Sequence, residues 1–600
     1  ISGHGHLDFE YLPDGTTRNS RYSLADLETK YLSIDRSAEK TGGDVWRLNF
    51  KQLDGLSFQD YPVEASTYAM KDAAGTYQVW EAQQRACENY ETPGPRSTRT
   101  EEFQTAVAFA LFLTTCSGMY VDPTMVRKVA DKIQEELSPD NLRLLIDTGI
   151  LKPAEPPRPH KRSKPSADGT IKMTAGKEAS ISLNVLKAYI EDVCSRHNIK
   201  IRRTDPTEKK PEGQTSTESD FLEELRELDP VIEQYCHRQE QQKVVQALRT
   251  IGDATLVHPN FNVLVESGRT SSYGNSRNRE PLYPSIQGQN ADPRVRPIFV
   301  APPGWVIVSC DYSALELVSL AQKVYSLFGR STLRDQLLAG VDPHAKLGSR
   351  IAYEVDGDFA ANCHKAGAMD DAAIYAQFMA LKSGGEDSKA TWKHYRKLAK
   401  PVGLGYPGGL GAKTLCAVAR KVYELNISED LAKRFKELWI EEYPEMPDYF
   451  AWITRDCIDQ RDPEKFAYVS PLGMYRAGCT YCSATNGAAL QTPSAEGAKF
   501  AHFNVVRAMF DESLQHPLLG CRPMDFVHDE ILSLMPYDEW LTERALSVSK
   551  IMVESLSLVM PDLAPAIKAE PAAMFRWDKR AEPVWDENRR LQVWTPKEGY

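Results

Sequence analysis

An apolar, β-branched run that ends on an aspartate most limits what this chain can fold into. Val306-Ile307-Val308-Ser309-Cys310-Asp311-Tyr312 reads as a buried strand that delivers an acid at its end. A second stretch, Phe526-Val527-His528-Asp529-Glu530-Ile531-Leu532, reads as a strand pair with its acids at the turn. An acid after an apolar strand is more often a turn or cap residue than a ligand. Two such aspartates together, however, can share a pair of Mg²⁺ ions ~3.5–4 Å apart that clamp the attacking and leaving oxygens of a phosphoryl transfer.

The chain has 600 residues, enough for three or four structural domains. It shows no apolar run long enough to span a membrane and no signal peptide, and its start at Ile1 predicts a processed or truncated product. Eleven scattered cysteines, an odd number without framework spacing, predict reduced thiols and a cytoplasmic location, the host cytoplasm for a viral protein. Cys479-Thr480-Tyr481-Cys482 is a lone CxxC, better read as small buried residues than as zinc ligands. A net charge of −11 argues against indiscriminate coating of nucleic acid and leaves local basic patches to do any phosphate binding. Two such patches are Arg158, Lys161, Arg162 and Lys164, and Arg196, Lys200, Arg202 and Arg203; solvated loop charge is the plain alternative for each.

The order of motifs outweighs any one of them. Ser267-Gly268-Arg269-Thr270-Ser271-Ser272 comes first, then the Asp311 stretch. Arg396, Lys400 and Leu404-Gly405 follow at four-residue spacing, then Val527-His528-Asp529-Glu530. This succession closely resembles the family A (polymerase I-like) DNA polymerases. The glycine-rich run after Lys400 looks like a bacteriophage-type branch. The resemblance covers roughly residues 100–600. It implies an α/β (α+β multidomain) right-hand polymerase behind an incomplete RNase H-like 3′–5′ exonuclease region. The implied domains are an exonuclease-like 1–100, a thumb over 101–260, palm over 261–326, fingers over 327–470 and palm again over 471–600.

On that resemblance Asp311 and Asp529 are the catalytic acids, with Glu530 nearby. They bind two Mg²⁺ ions (or Mn²⁺) together with the Tyr312 carbonyl. Arg396 and Lys400, on one helix face, grip the triphosphate with His344 of Asp342-Pro343-His344. Leu404 stands where the family has Phe or Tyr, and the next family tyrosine falls on Gly408. Glu316 blocks the space of a ribose 2′-OH, whereas the usual Gln and Arg are Ala314 and Val318. Pro401, Gly403 and Gly405 predict that the helix kinks or ends just after Lys400. Ser383-Gly384-Gly385-Glu386-Asp387-Ser388 is expected as a flexible insert.

For DNA, the resemblance assigns Arg269 and Gln491 to the primer-end minor groove and His528 to the primer-end phosphate. Gln491 would sit at a helix start over Leu490 to Ala498. Thr215 and Ser216 would hold the duplex backbone from a thumb tip, with Arg238 and Lys243 continuing along the phosphates. Tyr283 to Gly288, Arg294 and Arg296 resemble a conserved run ahead of the first acid. Pro471 to Arg476 suggests a hairpin.

Near the start, Ser23 caps a helix with Asp26 three residues on. Tyr68 and Asp72 resemble the last exonuclease motif (YxxxD), but Asp8-Phe9-Glu10 lies too close in sequence to supply its other acids. Exonuclease activity of this chain is therefore not expected. Glu101 to Thr115 is a helix that exits at Ser117 to Pro123, while Pro153 to Asp168 and Thr204 to Glu218 are loops.

The expected function is template-directed DNA synthesis in phage replication. Its partners would be primer-template DNA and dNTPs, with a processivity factor, helicase or single-strand binding protein, and no membrane. The alternatives are a catalytically weak or inactive polymerase-like DNA-binding replication subunit and a single-subunit RNA polymerase relative.

Overall fold

The structure, a computed structural model, describes residues 9–11, 17–19, 23–41, 45–88, 100–155, 158–159, 173–174, 178–206, 210–274, 285–423, 425–459 and 462–597. Asp8, Tyr283, Pro284, the Lys161–Lys164 patch and most of the loop expected over 153–168 lie outside the described residues.

The fold is built on a sheet of six strands: β1 (Trp305–Tyr312), β2 (Arg522–Val527), β3 (Glu530–Pro536), β4 (Ala569–Met574), β5 (Val584–Trp585) and β6 (Leu591–Trp594). Their order is β2-β3-β1-β4-β6-β5, so β1 is central. Both of its neighbours run antiparallel to it, and only β4 and β6 pair in parallel. The unbroken apolar run of β1 follows from burial on both faces. Val306, Val308, Cys310 and Tyr312 join one core, whereas Ile307 joins another with Met524, Leu532, Leu534, Met574 and Trp577.

Helices cover both faces. On the first lie α1 (Glu101–Ser117), α3 (Leu315–Phe328), α6 (Thr492–Phe510) and α7 (Leu541–Val559); on the second packs α2 (Pro230–Ile251). The expected helix over 101–115 is α1, which ends where Gly118 takes φ 69°. Ser23 caps Leu24–Leu32, its hydroxyl accepting from the Asp26 amide at 3.3 Å.

Beyond α3, α4 (Pro343–Val355) packs along α5 (Glu386–Gly405). The expected flexible insert is instead ordered helix. Gly357–Lys365 and Asp371–Leu381 enclose Phe359, Cys363, Ile374 and Phe378, and Ser383–Gly385 merely turn into α5. The helix end expected as one outcome just after Lys400 is overturned, because α5 continues through Pro401 to Gly405. Proline removes one amide donor there, but burial of Leu398, Ala399, Val402 and Tyr406 in the main core holds the turn together. The Tyr406 hydroxyl, donating to the Ala432 carbonyl, pins the exit. Gly409, at φ 79°, then lets the chain approach Thr485, whose hydroxyl an added Cβ would meet at 2.8 Å.

Before α1, the described residues form a two-stranded hairpin, Phe9–Tyr11 with Thr17–Asn19, and helices that include Val63–Glu88. Among the described residues no helix is long and apolar enough to cross a membrane.

Candidate active site

The register of the sheet gathers acids at one end. Asp311 faces Glu530 on β3 and Glu570 on β4. Asp529 occupies the two-residue turn between β2 and β3. His528 opens that turn at φ 60°, a conformation tolerated by few side chains other than glycine. Ser309 donates its hydroxyl to Glu530. Asp311 and Asp529 have no cationic partner at ion-pair distance among the described residues. Asp311 is exposed to solvent near the end of β1, although protein surrounds it on most sides. Restricted solvation, then the charges of Asp529 and Glu530, push its carboxyl well above the usual range. Asp529 is pushed up to about 6, chiefly by burial.

Opposite the acids, α4 and α5 bring cations together. Asp342 caps α4, its carboxylate accepting from the His344 and Ala345 amides at 3.0 and 3.1 Å. The other oxygen of Asp342 accepts from Arg396 Nε at 2.7 Å. Lys400 is half-buried, its pKa lowered by burial and by Arg396. Burial takes His344 down to about 4, so its ring is neutral at pH 7.

A cleft of about 170 Å³ joins the two halves, lined in part by Asp529, His528, Glu316, His344, Leu404 and Ser494. Arg269 also lines it and is ion-paired there with Glu316. Gly268, at φ 79°, makes the turn that presents Arg269; a Cβ would lie 2.9 Å from Thr492. Thr492 in turn donates to the Ser267 carbonyl at 3.0 Å. The structure thus brings together Asp311, Asp529, Glu530, Glu316, Arg269, His528, His344, Arg396, Lys400 and Leu404, while the buried Tyr312 donates its hydroxyl to the Met552 carbonyl at 2.6 Å.

Other expected residues lie elsewhere. Thr215 is buried and donates to Glu191, and buried Ser216 accepts from the Glu218 amide at 3.2 Å, so neither hydroxyl faces a duplex. Arg238 is 8% exposed within α2, whereas Lys243 is exposed. Arg196 pairs with Asp192 and Asp229, and Arg202 with Glu224. Arg294 pairs with Asp292, and Arg296 lies over Trp577 at 4.5 Å. Gln491 is not at a helix start. It closes a π-helical turn, Gly487–Gln491, inside a continuous helix, and it is not among the cleft-lining residues. Asp72 accepts from Arg36 Nη2 at 3.1 Å on Val63–Glu88, the helix that also carries Tyr68. Cys479 is buried and Cys482 exposed, without a zinc-type cluster among the described residues.

One cleft residue, Ser494, carried no sequence signal. The pairing of Asp342 with Arg396 was likewise not read from sequence, although Asp-Pro at a helix start is a capping pattern.

Residues 179–360 match the profile of a family described as DNA polymerase family A. The chain is 24% identical over 402 residues to DNA polymerase I of Chloroflexus aurantiacus, covering 64% of this chain and 35% of that protein. To the thermostable DNA polymerase I of Thermus caldophilus it is 34% identical over 270 residues, 43% of this chain and 26% of that one. The chain therefore spans only about a third of the length of the first curated relatives it matches. Among solved structures, the POL domain of Pol1 from M. smegmatis, in complex with DNA primer-template and dNTP, aligns with a TM-score of 0.57 at 18% identity. That alignment covers 93% of this chain and 79% of that one, and it shows a shared fold. The architecture is a mixed helix–sheet fold shared with that polymerase domain. Residues 179–360 are thus similar to family A DNA polymerases, and the relatives matched are bacterial DNA polymerase I proteins.

Proposed function

We propose that this chain extends a primer 3′-OH with deoxynucleotides on a DNA template. The observation that carries the reading is a cleft lined by Asp529 and Glu316 on one side and by His344 on the other, with Asp311 opposite Glu530 in the sheet next to Asp529 and with Arg396 bound to the Asp342 cap of the helix that carries His344. Unlike charges held apart across a cleft suit a substrate that is itself an anion carrying bound cations.

The acids fit hard divalent cations. Burial, and after it the charges of Asp529 and Glu530, raises the carboxyl pKa of Asp311, and a cation between the acids would oppose that shift. Two carboxylates make an incomplete ligand set of the kind that Mg²⁺ completes with substrate oxygens and water. Asp311 and Asp529 would hold two Mg²⁺ ions, with the Tyr312 carbonyl beside them. When bound, those ions supply activation of the 3′-OH and neutralisation of the triphosphate.

The chain's own residues do the rest. Lys400 and Arg396 balance charge on the β- and γ-phosphates. Neutral His344 donates a hydrogen bond to a phosphate oxygen rather than a charge. Glu316 crowds the sugar once Arg269 turns from it to the primer end. Lys243, exposed on α2, would meet the duplex backbone. Palm, fingers and thumb would correspond to the sheet, the α4–α5 lobe and the α2 region. Leu404 and the glycine-rich exit of α5 support a bacteriophage replication setting.

The test is primer extension with Mg²⁺, dNTPs or NTPs, and the Asp529→Ala variant beside the parent. Extension with dNTPs alone, abolished by the substitution, is expected. A folded, DNA-binding parent that extends nothing sinks the reading in favour of a binding subunit.

A further inference from the structure

The first turns of α6 put a hydroxyl where nothing in the protein uses it. Ser494 is 2% exposed and lines the cleft beside Asp529, His528 and Arg269. Its Oγ has no hydrogen-bond partner among the described residues. Serine inside a helix ordinarily bonds back to the carbonyl four residues earlier, here that of Leu490, and Ser494 does not. A buried hydroxyl left unpaired costs on the order of 1–3 kcal/mol, so retaining one at the wall of a cleft calls for a partner that comes and goes.

We propose that Ser494 donates this hydrogen bond to an uncharged acceptor on the primer-terminal nucleotide, and so positions the primer end beside Asp529. The inference rests on the polymerase reading above. The acceptor is neutral because the nearby groups already deal with charge. Arg269, released from Glu316 on that reading, already meets the primer end as a cation, and Arg396 and Lys400 stand with Asp342 on the α4–α5 side. A serine hydroxyl adds direction rather than charge, which suits a ring nitrogen or ether oxygen. Two atoms of a terminal deoxynucleotide offer that chemistry: the minor-groove N3 or O2 of the base, and the sugar O4′.

The docking of α6 supports the placement. Thr492 holds the Arg269 turn through the Ser267 carbonyl. Glu496 accepts from the Ser470 hydroxyl and, at 3.0 Å, from the Leu472 amide. Both neighbours on the helix are thus anchored, and Ser494 sits between them on a rigid wall.

The test compares parent and Ser494→Ala protein in single-nucleotide incorporation. One arm uses a natural primer, one a primer ending in a 3-deazapurine, which lacks N3, and one a carbocyclic terminus, which lacks O4′. Loss of one hydrogen bond predicts a drop of about tenfold in kcat/KM for Ser494→Ala on the natural primer. The melting temperature should be unchanged or higher, because the hydroxyl removed was unpaired. One analogue should lower the parent by a similar factor yet leave Ser494→Ala no worse than it is on natural primer, and that analogue identifies the acceptor. Equal rates for parent and variant overturn the inference, as do additive effects with both analogues or a fall in melting temperature that accompanies the loss. A parent inactive on every primer removes the polymerase reading itself.

Discussion

The acid end of the sheet and the α4–α5 helix pair treat charge in opposite ways. On the sheet, the in-register meeting of β1, β3 and β4 sets Asp311, Glu530 and Glu570 side by side, with Asp529 at the adjoining turn. No described cation neutralises the two aspartates, and their pKa values are raised. On the helix pair the opposite holds: Asp342 caps α4 and also takes the Arg396 guanidinium. One region keeps an electrostatic debt that only a ligand relieves. The other is settled internally, with Arg396 held by Asp342. Sites under the first regime trade stability for function, whereas the second kind stabilises the fold while waiting.

The largest expected effect breaks the first regime. Asp311→Asn should cut primer extension by roughly a hundredfold or more, the scale for removing one preorganised electrostatic group. Its melting temperature without divalent ions should stay level or rise, since a repelled charge is gone. A clear loss of thermal stability would show that Asp311 is compensated after all.

Acidity sharpens the same point. A carboxyl whose folded pKa exceeds its unfolded value binds more protons when folded, so stability declines as pH rises through that interval. Asp311 and Asp529 therefore predict that, in EDTA, stability falls between about pH 4 and pH 6 and on towards neutrality. Added Mg²⁺ should recover most at the upper end. Denaturant titrations across that range, with and without Mg²⁺, measure it, and a Mg²⁺ effect equal at pH 4.5 and 7.5 would contradict it.

A smaller effect probes the second regime. Asp342→Ala removes the α4 cap and should cost about 1 kcal/mol, raising KM for dNTP as the turn that carries His344 frays. Asp342→Asn should keep most of the stability, because asparagine caps as well. If the alanine variant melts with the parent, the cap is not what orders this turn.

The smallest contrasts lie on the DNA side. Thr215→Val should leave primer-template Kd within about twofold and lower stability, because its hydroxyl serves Glu191. Lys243→Ala should weaken binding across all sequences and lower the salt slope by about one, the mark of a lost phosphate contact. Filter-binding titrations at several salt concentrations separate the two.

Much of the frame could be read from residues alone because it depends on near neighbours. The run from Val306 to Asp311, the two-residue turn at His528 and Asp529, the Ser23 cap and the helix from Glu101 are each short-range patterns of polarity and turn chemistry. The four-residue spacing of Arg396 and Lys400 likewise put both on one face of α5, which ran on through Pro401 only because core burial outweighed the lost amide.

What tertiary structure alone decided is which polar groups are occupied and which are left over. Thr215 looked like a surface hydroxyl until Glu191 took it, and Arg238 like a phosphate ligand until α2 buried it. Arg396 meets Asp342 from 54 positions away, and Arg269 meets Glu316 from 47. Ser494 stands out because it lines the cleft while no partner among the described residues reaches its hydroxyl. Hydrogen bonds and ion pairs act over a few ångströms, whereas sequence separation carries no distance, so the acids were readable and their company was not.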